Sequence, residues 1–175
     1  MKKKNLQLRD IGEDALVAAL TARLAVGEGV VAAAGDDCAI LEGTERGRFD
    51  LFKTDCIVEG VHFESAAPPS AVGWKAMART VSDFGAMGGL PRYALVTVAL
   101  RGDSELTWAR ALYRGLEKAA ARFGVSIVGG ETTRIPEGSP ALISVALTGE
   151  VARARCARRS GGKPGDVLLV TGRLG

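Results

Sequence analysis

Apolar and polar positions along this chain recur with two periods, and the change from one to the other marks its elements. Ile11, Leu16, Leu20 and Leu24 lie at roughly helical spacing, which predicts a helix within residues 11–26, closed by a glycine-rich turn at 27–29. Cys38, Ala39, Ile40 and Leu41 form a short apolar run directly after Gly35-Asp36-Asp37. Residues 49–61 read as one strand or two, bent near Asp55 and Gly60. Pro68 and Pro69 break the chain, and Ser70 can cap a helix running to about Met87, where Gly88 and Gly89 end it. The run YALVTVAL at 93–100 is a strand of branched and apolar residues. Asp103 or Ser104 then caps a helix over 105–123, residues 125–128 make a short strand of the buried type, 141–151 another, and 166–171 begins one more. Strands and helices mix without a strict βαβ repeat. The expected fold class is α+β, one mostly antiparallel sheet with helices packed on one face.

Composition supports a single packed domain. In 175 residues, 47% are hydrophobic and 25% charged, the balance of a globular chain and not of a disordered one. The formal net charge of +3 is too small to argue for a nucleic-acid partner. The basic start at 1–4 leads into no apolar segment of signal-peptide length, and no run approaches a membrane span, so no membrane partner is expected. Cys38, Cys56 and Cys156 are odd in number and form no CxxC pair, which suits free thiols in a reducing cytoplasm and gives no zinc site. Arg153, Arg155, Arg158, Arg159 and Lys163 crowd the C-terminal end, a solvated face or a site for phosphate groups.

The candidate chemistry lies in acids at the ends of apolar segments: Asp36 and Asp37 in GDDCAIL, Asp55 in KTDC, Asp83 in VSDFGAMGG and Glu131 in GGETT. Segment ends converge at one edge of a sheet, and carboxylates gathered there repel one another unless cations sit among them. Hard divalent cations, magnesium above all, suit such oxygen ligands and leave room for substrate phosphates. An acid at a turn is common. Asp83 differs, because it sits in a helix-like stretch beside Phe84, Ala86 and Met87, where a carboxylate is costly to bury unpaired. There is no GxxxxGK[ST] loop, no strand-GxGxxG-helix unit and no serine elbow beside the lone His62.

Five motifs in order, GDDCAIL, TDCIVEGVHF, VSDFGAMGGLP, IVGGETTR and RRSGGKPGDVLLVTGRLG, resemble the N-terminal half of the thiamine-monophosphate kinases, a branch of the aminoimidazole ribonucleotide synthetase-like superfamily. The resemblance runs from about Gly35 to the end of the chain. It implies transfer of the γ-phosphate of ATP to thiamine monophosphate, giving thiamine diphosphate, with magnesium ions bridging the phosphates. In-line transfer of that kind rests on positioning and charge neutralisation, so no side chain is assigned a covalent or acid–base role. It also implies a homodimer whose N-terminal halves pair their sheets into a barrel. Residue by residue, Asp37 matches a magnesium ligand, Thr54 and Asp55 a metal-binding pair, and Asp83 an aspartate serving several ions. Gly130 and Glu131 match a pair touching ATP and metal, and Arg159 an arginine that meets the nucleotide phosphates. His62 matches a histidine that contacts the thiamine phosphate. Tyr113 falls where some members place a nucleotide contact.

Three departures stand out against that resemblance. Lys53 takes the place of the usual serine, Glu131 that of the usual aspartate, and Arg79 with Thr80 that of a valine-asparagine pair. The chain is expected to be one ATP- and magnesium-binding domain over 1–175, without the family's C-terminal domain, and therefore to have negligible kinase activity alone. Two alternatives stand beside this reading: another ATP-using superfamily member with a different acceptor, and a noncatalytic dimerising or nucleotide-binding paralog.

Overall fold

A computed structural model describes residues 7–170 and 172–173. Its core is a six-stranded sheet of β1 (Val30–Ala32), β2 (Ala39–Glu42), β3 (Arg48–Val58), β4 (Leu90–Arg101), β5 (Ser126–Ile135) and β6 (Leu142–Ala152). The spatial order is β1-β2-β3-β6-β4-β5. Every neighbouring pair is antiparallel except β4 and β5, which run parallel. That exception has a cause. The connection from β4 to β5 is a whole helix, and a crossover of that length returns a strand in the same direction.

Three α-helices accompany the sheet: α1 (Glu13–Thr21), α2 (Pro69–Ala86) and α3 (Leu106–Phe123). Burial alternates along the strands, so Ala94, Val96 and Val98 of β4 and Ile143, Val145 and Leu147 of β6 face the helices, while Tyr93 and Leu95 face outward. The core therefore lies on one face, against Met77 and Phe84 of α2 and Leu112 and Leu116 of α3. The two helices cross at glycines. A Cβ on Gly73 would strike the Leu112 carbonyl, and one on Gly115 the Ser70 carbonyl. The α+β expectation, with helices on one face of a mostly antiparallel sheet, agrees with this architecture.

Several boundaries differ from the sequence reading. Residues 49–61 contain one strand without a bend at Asp55, and the reversal comes afterwards at Gly60, whose φ of +76° suits glycine. Ser70 does not cap α2. Pro68 holds the cap position and Pro69 begins the helix, where a missing N–H costs nothing. Neither Asp103 nor Ser104 caps α3, since Glu105 occupies that position without a side-chain cap bond. Of residues 125–128, 126–128 are only the start of β5, which continues through Gly-Gly-Glu-Thr-Thr to Ile135 as an exposed edge strand, not a buried one. The helix expected over 11–26 shrinks to nine residues with none buried. Residues 166–170 form no strand, and Thr171 lies outside the described residues. β1, only three residues long, left no periodic signal.

Candidate functional site

The sites expected from sequence divide between the two faces of the sheet and its two ends. On the helix-covered face, Lys53 and Asp55 sit two residues apart on β3, so their side chains point the same way. Opposite them α2 presents Arg79 and Asp83, four residues apart and hence on one helix face. The two spacings match, and the charges interlock: Lys53 Nζ lies 2.6 Å from Asp83 Oδ2, and Arg79 Nε lies 3.0 Å from Asp55 Oδ2. The stripe extends one turn back, where Lys75 donates to the His62 carbonyl. It extends one turn forward to Met87, whose sulfur accepts from the Cys38 N–H at 3.1 Å. α2 therefore tracks β3 along its length.

At the Met87 end three segments meet. The Ala157 N–H donates to the Met87 carbonyl at 3.1 Å, which docks the C-terminal stretch beside the Asp36–Cys38 loop. There Arg159 donates to Asp37 Oδ1 at 2.7 Å and Arg158 Nε to Asp36 Oδ2 at 3.1 Å. The backbone N–H of Arg159 also donates to Asp36 Oδ1 at 2.8 Å, and that bond, followed by Arg158, holds the Asp36 carboxyl below its ordinary range. Cys38 is buried between these groups. Burial, and then the nearby Asp83 carboxylate, push its thiol up to about 12, so it is a packing residue and not a nucleophile. Ala39 pairs with Phe52 at the start of β2, which brings the loop ending at Cys38 alongside Lys53 and hence its partner Asp83.

The remaining expected residues lie elsewhere. Thr54 points to the open face, where it meets Ser144 at 3.3 Å. Glu131 is exposed on β5, in register with Thr97, and β6 and β4 intervene between it and β3. Three strand spacings separate them, roughly 14 Å. The β4–β5 register shifts at Val128, just before Gly129 and Gly130, whose φ angles of +156° and +157° suit glycine, and a Cβ on Gly130 would strike the Val96 carbonyl. Both glycines thus have a structural reason to be there. Tyr113 lines a shallow depression with Glu117, Ala121 and Ile127, apart from the acids. His62 closes the turn after β3: its N–H donates to the Val58 carbonyl at 2.8 Å, and Val58 N–H donates to its Nδ1 at 3.1 Å. That leaves Nε2 to carry the ring proton.

Carboxylate oxygens are the right donors for magnesium. Among the described residues, however, no three His, Cys, Asp or Glu side chains gather into a metal-holding group. The inner acids Asp55 and Asp83 are already engaged by chain cations and do not fit a metal ion as arranged. Asp37 fits better, because its partner Arg159 is 66% exposed and its pair is a surface one, readily exchanged. Sequence reasoning missed the pairing of Arg158 with Asp36 and the Lys75–Arg79–Asp83 stripe. The four-residue spacing on α2 is the signal that carries the stripe.

A half-covered sheet with a cluster of acids and bases at one end defines a recognisable class. A family model described as AIR synthase related protein, N-terminal domain, matches residues 35–151, and the chain belongs to that family. It is 37% identical over 142 residues to the thiamine-monophosphate kinase of Synechococcus elongatus, covering 81% of this chain and 42% of that relative. It is 36% identical over 170 residues to the thiamine-monophosphate kinase of Aquifex aeolicus, covering 97% and 52%. The solved structure described as AaThiL complexed with AMPPCP and TMP aligns with a TM-score of 0.75 at 34% identity, over 85% of this chain and 45% of that one. The chain spans about half the length of the curated relatives it matches.

Proposed function

We propose that this chain is the nucleotide-binding half of an ATP-dependent phosphotransferase that converts thiamine monophosphate to thiamine diphosphate. The observation that carries the reading is the convergence of Asp36, Asp37, Lys53, Asp83, Arg158 and Arg159 where the start of β2 meets β3. The likeness to kinases named for that reaction, one of them in complex with AMPPCP and TMP, supports it. Arg158 and Arg159 supply guanidinium forks that match phosphate oxygens. Asp37 is the carboxylate for magnesium carried in with the nucleotide, an ion that neutralises charge on the transferring phosphates. The chain's own contribution is positioning: the β3–α2 ion pairs fix the floor on which the phosphates lie. The setting is the cytoplasm. The functional unit is a homodimer joined through the open face of the sheet, where Phe52, Tyr93 and Leu95 are exposed together.

The pairing of Asp55 and Asp83 with cations favours a second reading, in which the chain binds nucleotide without phosphorylating thiamine monophosphate. Calorimetric titration of the purified chain with AMPPCP, with and without magnesium, tests the nucleotide role. Saturable binding that needs magnesium, weakened about tenfold or more by Arg159→Ala, is expected. No binding by the folded chain, or binding indifferent to Arg159, sinks it. ADP release with thiamine monophosphate, once the remaining half of the protein is supplied, separates the two readings.

A further inference from the structure

The inner acids Asp55 and Asp83 stand in a different state from Asp37. Across the β3–α2 seam each acid faces a cation of the other element, Asp83 of α2 facing Lys53 of β3 and Asp55 of β3 facing Arg79 of α2, both at ion-pair distance. The side chains of Lys53 and Asp83 are only 26% and 25% exposed. Two negative and two positive charges sit on adjacent positions, so their sum is zero. Asp55 is further committed, since its Oδ1 accepts the Cys56 N–H at 2.9 Å while Oδ2 holds Arg79. A divalent ion entering here would meet no net negative charge and would have to displace an ammonium and a guanidinium anchored on rigid elements. The Arg159–Asp37 pair differs, with side chains 66% and 28% exposed and its guanidinium folding in from the C-terminal stretch.

We propose that Lys53 and Arg79 neutralise Asp83 and Asp55 in place of a divalent metal ion, so that this inner part of the site binds no metal. The inference deepens the phosphotransfer reading by confining its metal dependence to Asp37. The matching spacings, two residues on β3 and four on α2, let each acid be neutralised by a cation from the opposite element.

Manganese, observed by electron paramagnetic resonance without any nucleotide, tests the inference independently of the kinase reading. In the wild-type chain, Asp83→Asn and Asp55→Asn are each expected to change manganese affinity less than twofold. Lys53→Gln combined with Arg79→Gln frees both carboxylates and is expected to gain a site at least tenfold tighter, which adding Asp83→Asn removes. Circular dichroism confirms that each variant is folded, and the single Lys53→Gln variant serves if the double variant is not, with the same gain expected in smaller degree. A tenfold loss of manganese affinity in wild type on Asp83→Asn overturns the proposal, as does the absence of any gained site in the folded variants. Failure of AMPPCP to bind sinks the nucleotide role and leaves the manganese result to decide this one.

Discussion

The covered and open faces of the sheet are built from the same strands, yet they hold different chemistry. On β3, Leu51, Lys53, Asp55 and Ile57 face the helices, and Phe52, Thr54 and Cys56 face away. Under the helices the apolar positions are sealed, and the two charged ones survive because α2 brings opposite charges to them. On the open face, apolar Phe52, Tyr93 and Leu95 stand exposed beside Thr54 and Thr97. Neighbours in sequence are thus strangers in space, while residues 24 positions apart, Asp55 and Arg79, are partners.

The largest test of this contrast is truncation of one leucine on each face. Leu147 is fully buried and Leu95 is 50% exposed. Leu147→Ala should lose about 2–5 kcal/mol of unfolding free energy, from lost transfer and the cavity left behind. Leu95→Ala should lose under about 1 kcal/mol in dilute solution. Urea unfolding at two protein concentrations measures both. A cost at Leu95 that rises with concentration would show the open face covered by a second copy, sharpening the contrast into an interface; equal costs at both concentrations and both sites would break it.

Much of the covered face was legible in the sequence and little of the open one. α2 and α3 are legible to within a residue or two because their apolar periodicity is long, whereas their caps are not, because Pro68 and Glu105 hold the cap positions without side-chain bonds. β5 was cut short because its glycines resemble a turn; their role is to let an edge strand approach β4. The acids themselves were found, since acids at segment ends are a local signal. Their cations were not matched to them, because Arg159 lies 122 residues from Asp37 and only folding joins them.

Beyond the end of β3 the alternation of faces stops and a different ion pair takes over. Glu59 accepts from Arg101 at 2.6 Å and from the Ala141 N–H at 2.9 Å. The Ala141 bond first, then Arg101 and Ser65, lower its carboxyl to about 2 from an ordinary 4.5. A carboxyl with a depressed folded value contributes stability in full above about pH 4.5 and loses it as pH falls toward about 2. Glu59→Gln removes that dependence. The melting temperature of wild type should therefore fall more steeply than that of the variant between pH 4.5 and 2. Parallel curves would show that the Glu59 network does not set acid stability.

The finest test compares two adjacent residues on opposite faces. Ser144 Oγ donates to the Asp55 carbonyl at 3.1 Å, so the Thr54 hydroxyl, 3.3 Å from Ser144, is the donor in that contact. Thr54→Val keeps the branched shape that a strand favours and loses one exposed hydrogen bond, a change within about 0.5 kcal/mol. Asp55→Asn keeps an oxygen for the Cys56 N–H but loses the charge that faces Arg79, whose side chain is 41% exposed. A pair so open to water is worth up to about 1 kcal/mol. Salt distinguishes the two, because screening weakens a charge pair and leaves a neutral hydrogen bond nearly untouched. In urea unfolding, the Asp55→Asn deficit should shrink on going to high salt, and the Thr54→Val difference should stay constant. A salt-independent deficit at Asp55 would mean that Arg79 does not stabilise the covered face through its charge.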